Sequence, residues 1–423
     1  MQSLGWCFAR ARALEDIARR ATAVAVFGAA MIGGPFVAPA AAQFSNDTVK
    51  IGVLDDLSGF MADDTGPGDV LAARLAVEDF GGTVLGRKIE VVEGDHQNKA
   101  DVGVAVARQW YDVEHVVAIF GLSNSAVALA VQRLTKEKNR INITTAAGAP
   151  ALTGDQCSPN GIHWTYDNYA MGRATVLATI RAGGKKWFFI TANYSFGISL
   201  EESAAALIVA NGGEVVGRVR HPTDTADFSS FILQAMASGA DVIALANAGQ
   251  DLVNAVKQLD EYGARKQGAK IVAFVAHVTN MHALGLKAAQ GLSFADTFNW
   301  DQNAEARAFS KRFEDVLGKP PNGLQASVYG AVMHYLKAVK ATGTDDAQRV
   351  MAQMKATRIN DFMTKDGYIR EDGRVIRDLL VYRVKTPSES TGPWDLLEQI
   401  DVIPGEEAFR PLAEGGCPYL KAQ

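Results

Sequence analysis

Ser123-Asn124-Ser125 stands within "IFGLSNSAVALAVQRL", where an apolar strand-like run gives way to a helix-period apolar stripe. Small polar side chains at a helix start can do two kinds of work. Their oxygens accept hydrogen bonds from the first backbone N–H groups, which have no intrahelical partner. The same N–H groups, at the positive end of the helix dipole, can instead hold a carboxylate or phosphate. The local sequence leaves both readings open for Asn124 and Ser125. Nucleophilic or metal chemistry has weaker support: "GLSNS" lacks the second glycine of a nucleophile elbow, and His96 in "GDHQNK" has carboxylates nearby but no partner at ligand spacing.

The residues that would frame such a site belong to an ordinary globular chain of 423 residues, 48% hydrophobic and 21% charged, long enough for two or three domains' worth of core. Residues 1–42 differ from the rest. Arg10, Arg12, Arg19 and Arg20 precede the apolar run "ATAVAVFGAAMIGGPFVAP", and Ala40-Ala41-Ala42 follows as an A-x-A cleavage pattern, so the segment reads as a secretory signal peptide cleaved after Ala42. Gly33, Gly34, Pro35 and Pro39 interrupt the run and shorten it below the roughly 20 residues that a membrane span needs. Losing four basic and two acidic residues takes the formal charge from −5 to −7. A mildly acidic exported protein is a poor partner for nucleic acid or an anionic membrane. Of the three cysteines, Cys7 leaves with the leader, and the remaining pair, Cys157 and Cys417, is expected to form a disulfide. Two isolated cysteines do not make a metal site, and no cofactor is implied.

Beyond the leader, β-branched runs alternate with helix-period segments, the pattern of an α/β protein with parallel sheets. "VKIGVLDDLSG", "IEVVEGD", "VVAIFG" and "INITTAAG" form one set of strands, with an amphipathic helix over 67–80 after the first. "KKWFFITANYSFG", "EVVGRVRHP", "DVIALANAG" and "KIVAFVAHV" form another. The order strand, polar turn, helix, strand, polar loop, helix recurs in both sets, which implies two similar lobes. Ligand loops belong at the carboxyl ends of such strands, so two facing lobes would enclose a cleft. A helical stretch over 304–355, interrupted by "GKPPNG", places Phe309, Phe313, Tyr329, Met333 and Leu336 at core spacing. "KDGYIREDGRVIRDLLVYRVK" reads as a hairpin.

In this order, "VKIGVLDDLSGFMADDTGPG", "DHQNKADVGVAVARQW", "VVAIFGLSNSAVALAV", "ITTAAGAPALTG", "ANYSFGISL" and "FSKRFEDVLGKPPNGLQASVYGAVMHYLKAVKATGT" resemble the type I periplasmic solute-binding proteins of ABC transporters, near the branched-chain amino-acid (leucine-binding protein) group. The resemblance implies two Rossmann-like lobes joined by three crossing hinge segments. The first lobe would span about 47–166 and 302–358, the second about 167–301 and 359–403, with a tail over 404–423. It also implies a ligand carboxylate held by Asn124 and Ser125 in one first-lobe loop and by Ala146, Ala147 and Gly148 in another. From the second lobe come Tyr194, Phe196, Gln250 and His277, with Tyr166 near the first crossing as a further candidate. Phe196 reads equally as packing, and His277 equally as a core histidine.

The function this implies is capture of a small solute by lobe closure and its delivery, by a monomeric periplasmic protein, to an inner-membrane ABC permease. A periplasmic ligand sensor and an exported hydrolase are the alternatives. Amino-acid binders of the resembled group offer a second-lobe carboxylate to the ligand ammonium, because an unpaired buried charge is costly. Neither "FVAHVTN" nor "LANAGQ" contains an acid, Asp251 should be turned into its helix, and Asp55 and Asp56 come from the other lobe. The expected ligand is therefore a carboxylate without an amine, an aromatic or related organic acid.

Overall fold

Each of the eight expected runs is a strand in the computed structural model, which describes residues 44–420; the expected leader and its cleavage point lie outside the described residues. β1 (Thr48–Asp55), β2 (Thr83–Val84), β3 (Arg87–Asp95), β4 (Ala118–Gly121), β5 (Ile141–Thr144) and β6 (Gly161–His163) form one sheet in the order β2-β3-β1-β4-β5-β6. All neighbours run parallel except β2, which turns back antiparallel onto β3. α1 (Gly66–Phe80) covers one face, while α2 (Ala100–Gln109) and α3 (Ser125–Glu137) cover the other. Leu54 and Ile119 face α2 and α3, while Val53 and Phe120 face the opposite core. Burial on both faces is why β1 and β4 read as continuous apolar runs.

The second sheet has the order β10-β9-β7-β8 and is wholly parallel, built from β7 (Lys186–Ala192), β8 (Glu214–His221), β9 (Val242–Ala246) and β10 (Lys270–Ala273). α4 (Asn168–Arg181) and α5 (Ser195–Ala210) pack on one face around Trp187 and Phe189. α6 (Ser229–Ala237), α7 (Gly249–Glu261), α8 (Val278–Leu284) and α9 (Leu286–Ala289) pack on the other around Phe188 and Ile190. The repeat read from sequence is thus topological: β3-α2-β4-α3 and β8-α6-β9-α7 each place their two strands on opposite sides of a central one, β1 or β7.

After β11 (Ser293–Asp296) the chain returns to the first sheet with α10 (Ala304–Leu317), α11 (Gly323–Thr342) and α12 (Ala347–Ala356), where Phe309, Phe313 and Leu336 enter the core and Tyr329 packs against it. β12 (Tyr368–Ile369) and β13 (Val375–Ile376) form the expected hairpin. The alternating strand that follows does not belong to it. That strand, β14 (Leu379–Val384), pairs antiparallel with β11 and with β15 (Leu397–Ile403) in a third sheet. Ile359, Ile369 and Val375 pack in the first core and Arg374 pairs with His163 at the end of β6, while Ile376 and Leu379 pack in the second.

Cys157 and Cys417 are bonded, with Cα atoms 5.5 Å apart across 260 positions. Arg410 donates to the Pro150 carbonyl at 3.2 Å beside the bridge, so the tail is fastened to the loop after β5. No helix among the described residues is long and apolar enough to cross a membrane.

Candidate functional site

Strand order reverses on either side of β1 and of β7, so the loops leaving β1 and β4, and those leaving β7 and β9, part to leave a crevice at each sheet's carboxyl edge. The two lobes meet there.

On the first lobe, Asn124 is the N-cap of α3, and its Oδ1 accepts from the N–H groups of Ala126 at 2.9 Å and Val127 at 3.3 Å. The capping reading of Asn124 therefore holds. Ser125, at the next position, is fully buried, and its Oγ has no partner among the described residues. In the loop after β5, the three carbonyls face the protein: Tyr166 Oη donates to Ala146 at 2.8 Å, His163 Nε2 lies 2.6 Å from the Ala147 oxygen, and the Asn168 N–H donates to Gly148 at 2.8 Å. Among the described residues no acceptor takes the N–H groups of Ala146, Ala147 or Gly148. A loop with its carbonyls spent and its N–H groups free is polarised to receive an anion.

On the second lobe, Tyr194 starts α5 and stacks on Phe196 with ring centroids 5.8 Å apart. Burial, with Tyr166, Asp251 and Asp56 nearby, pushes the Tyr194 hydroxyl well above its ordinary value, so it stays protonated and able to donate. His277 caps α8; its Nδ1 lies 2.8 Å from Asp296 Oδ2, and its buried Nε2 has no partner among the described residues. Burial alone would lower its affinity for a proton, but the charge and hydrogen bond of Asp296 outweigh it and raise the pKa. Gln250 is not brought to the group: its exposed side chain donates to Asn254 at 2.9 Å along α7, and only its backbone N–H faces the other lobe, donating to Phe60 at 3.0 Å. Tyr166 is close, but its hydroxyl is committed to Ala146. Sequence reasoning missed Asn247, buried after β9 with its Oδ1 unpartnered, and Thr297 and Asn299 after β11, each with a buried unpartnered oxygen.

Although neither "FVAHVTN" nor "LANAGQ" contains an acid, Asp296 at the end of β11 stands beside His277. Yet each of its oxygens is already engaged. Oδ2 faces His277 and Oδ1 accepts from the Thr297 N–H at 2.7 Å. Asp251 accepts from Thr225 and Asp224 N–H groups at 2.7 and 3.2 Å. Asp56 accepts from Gly59 and Met61 at 2.8 and 3.0 Å. Asp64 accepts from Thr279 and from Asn280 at 2.9 Å. Asp55 Oδ1 accepts from the Ser123 N–H at 3.0 Å, while its buried Oδ2 has no hydrogen-bond partner among the described residues; burial and the neighbouring Asp55 push Asp69 well above the usual carboxylate range.

The serine and histidine beside this edge are not a nucleophile pair. His96 Nδ1 accepts from the Asn98 N–H at 3.1 Å, so the ring proton sits on Nε2 and points at Ser123 Oγ, 3.2 Å away. The ring donates to the serine and cannot take its proton. Burial also lowers the His96 pKa. Among the described residues no group of three or more His, Cys, Asp or Glu side chains could hold a metal ion.

A periplasmic binding protein model matches residues 48–392. The chain is similar to a periplasmic binding protein of Burkholderia mallei, 45% identical with a TM-score of 0.87, covering 89% of this chain and 100% of that one. It is also similar to a branched-chain amino acid ABC transporter periplasmic ligand-binding protein of Burkholderia xenovorans LB400, 38% identical with a TM-score of 0.78, covering 88% and 99%. Among curated proteins it is 27% identical over 310 residues to Leu/Ile/Val-binding protein homolog 4 of Brucella abortus (strain 2308), covering 69% of this chain and 72% of that one. With two mostly parallel sheets and a match over most of its length, the chain belongs to the periplasmic binding protein family, as a non-enzymatic solute-binding protein of an ABC transporter.

Proposed function

We propose that this protein captures an organic acid lacking an amine, an aromatic or related carboxylate, between its two lobes. The observation that supports this reading is the carboxylate accounting at the strand ends. Asp296, Asp64, Asp251 and Asp56 are engaged by protein donors, while, among the described residues, unpartnered Ser125 Oγ and three free N–H groups stand on one side and His277 Nε2 on the other. An ammonium would have to share carboxylates already engaged by protein donors. A carboxylate would meet donors.

Capture takes place in the periplasm, and a monomer hands the ligand to an inner-membrane permease. The Cys157–Cys417 bridge supports an oxidising compartment, because such bonds persist in exported proteins. The second reading is a branched-chain amino acid, favoured by the printed names of the Burkholderia xenovorans and Brucella abortus relatives. Calorimetry with leucine, isoleucine and valine beside benzoate- and cinnamate-type acids separates the two. Tight leucine binding with no heat from the acids would overturn the first reading.

A further inference from the structure

The two lobes bring different chemistry to the cleft. On the first, the Ser125 hydroxyl and the N–H groups of Ala146, Ala147 and Gly148 are donors without a partner among the described residues. A carboxylate has two oxygens and about four lone-pair sites. The first lobe therefore satisfies one carboxylate by itself, and the second lobe is left to meet the rest of the ligand.

What the second lobe has to spare is one donor and several acceptors. His277 Nδ1 faces Asp296 Oδ2 at 2.8 Å, and because a carboxylate only accepts, the first ring proton sits on Nδ1. Burial opposes a second proton, but the charge and hydrogen bond of Asp296 and the charge of Asp64 outweigh it, so the buried Nε2, unpartnered among the described residues, is a donor. Asn299, on the loop after Asp296, has a buried Oδ1 with no partner among the described residues, and its amide orientation is set by Nδ2 donating to Asp301 at 2.6 Å. Asn247, after β9, has another such Oδ1. There His221 Nδ1 donates to the Pro222 carbonyl at 2.7 Å, which leaves His221 Nε2 to accept from Asn247 Nδ2 at 3.2 Å and fixes that amide too.

We propose that the acid carries a hydroxyl at the end away from its carboxylate, and that His277 is the specificity residue that selects it, Nε2 donating to the hydroxyl oxygen while the hydroxyl proton goes to a second-lobe amide oxygen. A hydroxyl accepts and donates at once; an ether or a second carboxylate only accepts, and an unsubstituted ring does neither. A site with a buried donor to satisfy discriminates against the analogue that leaves it unpaired. This inference rests on the organic-acid reading and narrows it.

Calorimetry of the full mature protein with benzoate, 3- and 4-hydroxybenzoate, their methyl ethers and terephthalate tests it. One of the hydroxy acids should bind about 10- to 100-fold more tightly than benzoate, the worth of a hydrogen bond to a charged group, and neither the ethers nor terephthalate should share the gain. His277→Gln, shown to be folded by circular dichroism, should erase that gain and leave benzoate unchanged. Benzoate as tight as both hydroxy acids would overturn the hydroxyl, and so would an ether that matches them; this series decides in the wild type whether or not the variant folds. A His277→Gln variant that weakens benzoate as much as the hydroxy acid would put the ring on the carboxylate and overturn its selective role. Benzoate bound without discrimination leaves the organic-acid reading standing, whereas no binding of any acid fells both.

Discussion

His277 Nδ1 lies 2.8 Å from Asp296 Oδ2, and the pair joins the end of β10 to the end of β11 with both side chains buried. Asp296 raises the histidine pKa above its ordinary 6.5 despite the burial that opposes it. For a group that binds its proton more tightly when folded, the stabilisation is complete below the unfolded value and is lost as pH rises through the folded one. Asp296→Ala should cost about 3–5 kcal/mol, the penalty for breaking a buried pair, and Asp296→Asn should flatten the stability profile above about pH 6.5. Urea melts across that range are the check, and an unchanged profile in Asp296→Asn would show that His277 is neutral when folded.

Asn124 and Ser125 should part company on mutation. Asn124→Ala removes the cap of α3 and should lower stability by about 1 kcal/mol. Ser125→Ala removes a buried hydroxyl that bonds to no protein group, so stability should hold or rise while acid binding weakens by about 1–1.5 kcal/mol, the net value of one hydrogen bond. Paired thermal melts and calorimetry distinguish them, and a Ser125→Ala variant with full affinity would remove that hydroxyl from the site.

Burial pushes Asp251 up to about 7 even though the Thr225 and Asp224 N–H groups favour its charged form. An acid with a raised folded pKa holds its proton more tightly than the unfolded chain does, so it erodes stability as pH climbs from the ordinary 3.8 to about 7. Asp251→Asn should therefore lose less stability than the wild type between about pH 4 and pH 7. Parallel slopes for the two proteins would show that Asp251 titrates normally.

The bridge between Cys157 and Cys417 should leave no free thiol in the unfolded, unreduced mature protein, and reduction should destabilise it by about 2–5 kcal/mol. Thiol titration and melts with and without reductant read both quantities.

How legible this molecule is from its sequence depends on where each residue's partners lie. β1, β4, β7 and β9 announce themselves because helices cover both faces and nearly every core position is apolar. β15 does not: residues 398–402 are all exposed, so no face of it carries a readable stripe. Asn124 is legible as a cap because the N–H groups that donate to it are two and three residues on. Asp296 and Asp64 are not, since their partners are 19 and 215 positions away and only folding joins them. Gln250 misled in the opposite way: it stands in the right loop, but the helical spacing to Asn254 gives its amide a closer partner.

The tether at the C-terminus has a consequence for the order of events in the cell. A chain delivered from its N-terminus presents Cys157 early and must wait for nearly all the rest before Cys417 arrives, 260 positions later. Until then the thiol has no correct mate within its own molecule. A chain that ends between Cys157 and Cys417 would leave Cys157 without its mate, so an alkylating reagent would mark copies that stop between the two positions.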